Sequence, residues 1–205
     1  LNLRASRTFP FVSKVYNRNF ASLATNVFLG VPVERTRKLE LEAVAVKVPQ
    51  FSFERLAGAD PTTGVEMAST GEVACFGDSI EEAYLKALRA AGFPASVRSI
   101  YLEVGPEPER FKFLPHVERL LASGVRVFCP ETLYYFFHYH GQDVRALDGD
   151  ALREALVGHE IDLLIQIPRD RSPQTLAEGY PIRRLAADMS VPVVTNVKQA
   201  RLLAD

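Results

Sequence analysis

The run from Asn2 to Lys14, Asn-Leu-Arg-Ala-Ser-Arg-Thr-Phe-Pro-Phe-Val-Ser-Lys, gathers an amide (Asn2), two guanidinium groups (Arg4, Arg7), two hydroxyls (Ser6, Thr8) and an ammonium (Lys14). No acidic residue interrupts it. Arginine presents a planar fork of donors that matches carboxylate and phosphate oxygens, so the run reads as an oxyanion-binding loop. The alternative is a solvated basic tail. Phe9, Pro10, Phe11 and Val12 follow at once and argue against it, because a tail has no use for apolar bulk.

The elements that must position such groups follow in order. Phe20, Leu23, Ala24, Val27 and Phe28 fall at helical spacing over 19–29, and Gly30 and Pro32 end the helix. Residues 42–49 read as a strand, with Pro49 marking an edge or a strand end. Residues 65–77 read as strand material interrupted by Ser69-Thr70-Gly71, a hairpin pattern. Asp78 and Ser79 cap a helix to about Ala91, with Glu81 and Glu82 in the first turn where the helix dipole favours them. Gly92-Phe-Pro-Ala-Ser96 reads as a joint, giving domains 1–95 and 96–205.

Beyond the joint, strands are expected at 99–104, 126–129, 162–167 and 191–195, with a weaker one near 143–147. Helices are expected over 108–123, 132–139, 151–157, 173–189 (broken near 179–181) and 197–204. This alternation predicts an α/β domain with a mostly parallel five-stranded sheet, preceded by a smaller α+β part. Ligands of open parallel sheets sit at the carboxyl ends of the strands. The loops there carry Arg110 and Lys112, then Thr132, then Arg169, Arg171 and Ser172, and finally Thr195, Asn196 and Lys198. Their chemistry suits a phosphate or carboxylate, each charge-assisted bond being worth roughly 1.5–3 kcal/mol. Scattered surface charges are the competing reading. Tyr134-Tyr-Phe-Phe-His-Tyr-His140 is read as aromatic core, since His138 and His140 lie two apart on a helix and face different sides.

Composition limits the classes. The chain has 205 residues, 47% of them hydrophobic and 24% charged, with a formal net charge of −1. No global field recruits nucleic acid or an anionic membrane. No apolar run approaches the roughly 20 residues needed to span a bilayer. Cys75 and Cys129 stand far apart, form no metal-type pair and fit a reducing compartment.

Two stretches carry a family resemblance: NLRASRTFPFVSK, and VKVPQFSFERLAGADPTTGVEMASTGEVACFG ending at Gly77. They resemble the large subunit, or fused synthetase region, of carbamoyl phosphate synthetase. The likeness runs from late in its second ATP-grasp unit through its C-terminal regulatory domain. It implies an ATP-grasp remnant followed by a Rossmann-like domain of the methylglyoxal-synthase type. It further implies that Asn2 ligates a nucleotide-bound Mg²⁺ (or Mn²⁺), while Arg4 and Arg7 hold carbamate or the phosphoryl group in transfer. The family's metal-binding glutamate falls two positions before the asparagine, ahead of Leu1. The chain is therefore expected to be an internal fragment without synthase turnover of its own.

The resemblance also implies ATP as cofactor, upstream ATP-grasp domains and a glutaminase subunit or domain as partners, and a cytoplasmic setting. In relatives the last domain binds an effector: nucleotides such as UTP, UMP or IMP, or N-acetylglutamate in the urea-cycle enzyme. Arg110 falls at the position of a ligand-contacting lysine, and Gly179-Tyr-Pro-Ile-Arg-Arg-Leu-Ala-Ala-Asp188 looks like the fused pyrimidine-pathway enzyme. Departures exist. Pro130 and Leu133 replace a pair of effector-contacting threonines. Gln166, Arg169 and Gly179 stand where N-acetylglutamate-binding asparagines are expected, and Leu147 stands near a tryptophan of animal enzymes. These departures point to a nucleotide bound through altered contacts, or to lost effector control. Asp162 and Asp188 invite comparison with the aspartates of methylglyoxal synthase, but no phosphate-site motif accompanies them.

Overall fold

The structure, a computed structural model, describes residues 6–34, 41, 43–64 and 69–204. The chain divides into two compact units, Leu1–Gln50 with Ser69–Gly92 and Phe51–Ala68 with Phe93–Asp205.

The first unit holds helices α1 (Thr8–Val15) and α2 (Phe20–Phe28), strands β1 (Val44–Gln50) and β2 (Gly71–Gly77), and helix α3 (Ile80–Ala90). The basic stretch expected to be a loop is thus helical from Thr8 onward. Pro10 does not prevent this, because it lies in the first turn, where backbone N–H groups have no intrahelical acceptor. β1 and β2 pair antiparallel, with Val44 opposite Gly77 and Gln50 opposite Gly71. β2 thus finds its described partner in a strand that precedes the 51–64 segment, while the first arm of the hairpin expected around Ser69–Gly71, residues 65–68, lies outside the described residues. Pro49 sits opposite Glu72 in this two-stranded sheet, where every strand is an edge. The Ser79 hydroxyl accepts from the Glu82 N–H, and Glu82 reaches back to the Asp78 N–H, so the start of α3 is held from both directions. Ala83, Tyr84, Ala87 and Leu88 form its buried face.

The second unit is α/β. After a 3₁₀ turn at Phe53–Arg55 come β3 (Ser99–Val104), α4 (Glu107–Ala122), β4 (Arg126–Cys129), α5 (Glu131–Tyr139) and β5 (Arg145–Ala146). Then follow α6 (Gly149–Val157), β6 (Leu163–Ile167), α7 (Pro173–Asp188), β7 (Val193–Val194) and α8 (Val197–Ala204). The five strands are all parallel, in the order β5-β4-β3-β6-β7. Every residue of β6 is buried, as a strand covered on both faces requires. Ile100, Leu102, Val104, Leu163, Ile165 and Ile167 pack one face against α4, α5 and α8. Tyr101 and Leu164 pack the other against α6 and α7.

Helix α7 runs unbroken through Gly179 and Pro181, against the expected break. Proline removes one backbone hydrogen bond there, but Arg183, Arg184, Ala186 and Ala187 are buried beyond it. Tertiary packing outweighs local propensity. Asp162 serves the fold: its Oδ2 accepts from the Arg98 and Ser99 N–H groups at 2.7 and 3.0 Å, fixing the start of β3.

Candidate functional site

Strand order reverses between β3 and β6, because β4 and β5 extend the sheet on one side of β3 while β6 and β7 extend it on the other. Loops leaving a reversal of this kind part and leave a crevice at the carboxyl edge. Here Gly105 follows β3 and its N–H donates to the Ile167 carbonyl at 2.9 Å. A Cβ on Gly105 would overlap the backbone nitrogen of Arg169, so only glycine lets the two loops meet this closely.

The parallel strands bring the second unit's expected site residues to this one edge, yet their hydrogen bonds send them to separate partners. Arg110 turns inward, donating from Nε to the Val104 carbonyl (2.9 Å) and from Nη2 to the Gly105 carbonyl (3.0 Å). Lys112 pairs with Glu109 at 2.7 Å, one turn away on α4. Thr132 is exposed in the first turn of α5. Arg169 reaches Asp170 at 3.4 Å and Thr175 at 3.5 Å and stays 71% exposed. Arg171 donates to the Thr63 carbonyl at 3.5 Å. The Ser172 hydroxyl caps α7 by accepting from the Thr175 N–H, and hydrogen bonds from Ser172 hold the Asp170 carboxyl well below the usual carboxylate range. Thr195 Oγ1 meets the Thr63 N–H at 3.4 Å and the Thr63 hydroxyl at 3.3 Å. Asn196 Oδ1 accepts from the Lys198 and Gln199 N–H groups at the start of α8. The side chain of Lys198 is exposed.

The chain's own groups thus occupy several helix starts at this edge. Asp148 Oδ2 accepts from the Glu131 N–H at 2.7 Å and fills the start of α5. In the first unit, Arg7 donates to the carbonyl and the hydroxyl of Ser69 at 3.0 and 2.8 Å, and Lys14 donates to the Ala74 carbonyl. An open cleft of about 840 Å³ beside them is lined by Arg7, Lys14 and Arg18 together with Ser6 and Ser13. Asn2 and Arg4 lie outside the described residues. Among the described residues no group of three or more His, Cys, Asp or Glu side chains could hold a metal ion. Nor is any helix long and apolar enough to cross a membrane.

The most developed polar network involves residues that sequence reasoning left without a role. Arg183, 1% exposed, grips Asp60 through Nε (2.8 Å) and Nη2 (2.6 Å). Its Nη1 donates to Gln166 Oε1, whose amide nitrogen donates to Glu103 on β3. Burial raises the Asp60 pKa, but hydrogen bonds from Arg183 and Thr62 outweigh that and leave it lowered. Arg184 ties Asp188 on its own helix to the carbonyls of Phe53, Leu56 and Ala59. A side chain on Gly179 would collide with the Arg183 guanidinium and come within 2.9 Å of Gln166 Oε1. The expected break near 179–181 hid this pairing from the sequence, because only an unbroken helix places Gly179 on the same face as Arg183, four residues on. The Tyr134–His140 run, expected as aromatic core, is core only in part. Phe137 is buried, but Tyr135 and Tyr139 are 63% and 87% exposed because they fall on the outer face of α5. Tyr134 stacks on His138, and His140 Nδ1 lies 2.8 Å from the Phe136 carbonyl.

No family model matches the chain. Across 100% of its length it is 47% identical over 221 aligned residues to "Multifunctional protein URA2" of Saccharomyces cerevisiae, of which it spans 10%. It is 38% identical to "Multifunctional protein CAD" of Squalus acanthias, again over 100% of this chain and 10% of that protein. It is 34% identical to "Carbamoyl-phosphate synthase [ammonia], mitochondrial" of Homo sapiens, over 100% of this chain and 15% of that protein. From end to end, then, the chain is similar to one segment of each of these proteins and spans only 10–15% of their length.

Proposed function

We propose that the chain is the part of a carbamoyl-phosphate synthase that contributes to the carbamate-phosphorylating ATP site and carries the effector-binding domain. The parent enzyme would join ammonia to bicarbonate at the expense of ATP, in pyrimidine synthesis, with upstream ATP-grasp domains and a glutaminase subunit or domain as its partners. Similarity over the whole chain to a named carbamoyl-phosphate synthase carries this reading. The higher identity to URA2 favours the pyrimidine setting, and a cytoplasmic location goes with it.

In the first unit, Asn2 would ligate Mg²⁺ (or Mn²⁺) on ATP. Arg4 and Arg7 would hold the carbamate and neutralise charge spreading over the phosphoryl oxygens in transfer. In the second unit, Arg169 and Arg171 follow β6 and Thr195 follows the neighbouring β7 at the carboxyl edge, where a nucleotide effector such as UTP would place its phosphates. Arg110, Lys112, Thr132, Ser172, Asn196 and Lys198 belong to the same edge. Arg110 would act by shaping the β3–α4 turn, since its guanidinium is spent on that turn's carbonyls.

A second reading has its own support. Asp148, Ser172 and Asn196 already fill helix starts that an anion would otherwise use. That favours an effector domain that has lost its ligand and serves as a docking module for the rest of the enzyme. A thermal-shift titration with UTP separates the two. Stabilisation that saturates, and that Arg169→Ala weakens, supports the effector domain; no shift with any nucleotide supports the docking module.

A further inference from the structure

Residues 51–64, between β1 and β2 in sequence, are a strap that belongs to the second unit and is fastened to it at two places of unequal strength. The anchor is strong. Arg183 is buried and grips Asp60 bidentately at 2.6–2.8 Å, and Arg184, 8% exposed, holds three carbonyls of the strap at 2.7–3.2 Å. Thr62 is locked to the anchor as well, its N–H and hydroxyl both donating to Asp60 Oδ1 at 3.0 and 2.8 Å.

The next residue is held differently. Thr63 touches Thr195 at 3.3 and 3.4 Å and accepts from Arg171 at 3.5 Å, all longer than well-formed bonds of 2.7–3.2 Å. Arg171 is exposed, so water competes for it directly. By bond length the strap is therefore held less tightly at Thr63 than at Asp60 and Thr62, although Thr195 itself is buried.

Arg171 and Thr195 are also two of the groups assigned above to an anionic effector. We propose that Thr63 is the tip of a built-in lid: it occupies the Arg171 guanidinium and the Thr195 hydroxyl, and a nucleoside phosphate displaces it while Asp60 stays clamped. This inference rests on the effector reading. The apparent affinity for ligand is the intrinsic affinity scaled by the fraction of molecules with the tip open. Loosening the tip alone must then tighten binding, although the change touches no ligand-binding side chain.

The test is calorimetric titration of UTP into the wild-type chain, Thr63→Gly and Thr63→Ser, with melting temperatures recorded to confirm that each is folded. Thr63→Gly removes the hydroxyl and frees the backbone, and is expected to bind UTP roughly three- to tenfold more tightly, as loss of one or two weak competing hydrogen bonds gives. Thr63→Ser keeps the hydroxyl and is expected to bind like wild type. Equal or weaker binding by Thr63→Gly overturns the lid and leaves the effector reading standing. If no form binds UTP, the effector reading falls and the lid falls with it.

Discussion

Replacing Asp60 with alanine tests the buried ion pair that ties residues 51–64 into the second unit. The change removes two hydrogen bonds and the counter-charge from a guanidinium that is 1% exposed. Among the described residues two neutral acceptors remain to it, Gln166 Oε1 at 2.9 Å and the Leu176 carbonyl at 2.6 Å. Breaking a buried ion pair in this one-sided way costs about 3–5 kcal/mol. The Asp60 side chain is 31% exposed, so water can reach the vacated side and the lower end applies, about 3 kcal/mol. For a unit of this size that corresponds to a fall of roughly 10 °C in melting temperature.

Scanning calorimetry of Asp60→Ala beside wild type measures it, with the pH varied as a second axis. The folded-state pKa of Asp60 is depressed, so its stabilisation is complete above the ordinary carboxylate value near about 4 and is lost as pH falls through the lowered value. The gap between the two proteins should therefore stay constant from neutral pH down to that point and close below it. A loss under about 1 kcal/mol at neutral pH, against the 3–5 expected of a broken buried pair, would refute the reasoning.

Two further outcomes follow from packing. Gly105→Ala places a methyl group on the backbone of Arg169, which has no flexible end to yield, and should cost about 3 kcal/mol in urea unfolding. Gly179→Ala meets the tip of the Arg183 side chain and should cost less, about 2 kcal/mol; the reverse order would show that the close approach of Gly105 to the Arg169 backbone is easily relieved. Cys129 is fully buried, and burial pushes its thiol up to about 12, with the Asp148 charge adding to the effect. At pH 8 only about one thiol in ten thousand is ionised, so iodoacetamide should leave Cys129 unlabelled in the folded chain and label it in urea. Rapid labelling of the native protein would contradict its placement in the core.

Some of the molecule is legible from residue order alone. Strands Ser99–Val104 and Arg126–Cys129 are bounded in the structure as the apolar runs predict, and helix Val197–Ala204 likewise. Their pattern arises from burial on one or both faces, which is written directly into residue type. The parallel sheet and the candidate edge follow from the alternation of strands and helices. The cap at Ser79 is equally local, since a hydroxyl and a carboxylate three residues apart suffice to form it.

What residue order could not decide was long-range. Nothing local says that residues 51–64 leave β1 and fold with the second unit, because Asp60 and Arg183 are 123 positions apart. Helix α7 survives Pro181 because its far half is buried, and burial is a property of the assembled sheet and helices. Arg110 looks like a ligand-facing cation in sequence, yet the turn after β3 leaves two carbonyls within its reach and they take the guanidinium first. Charge and spacing bring such groups to one edge of the sheet. Which of them are already spent on the protein itself depends on distances of a few ångströms, set only when the strands and loops are packed together.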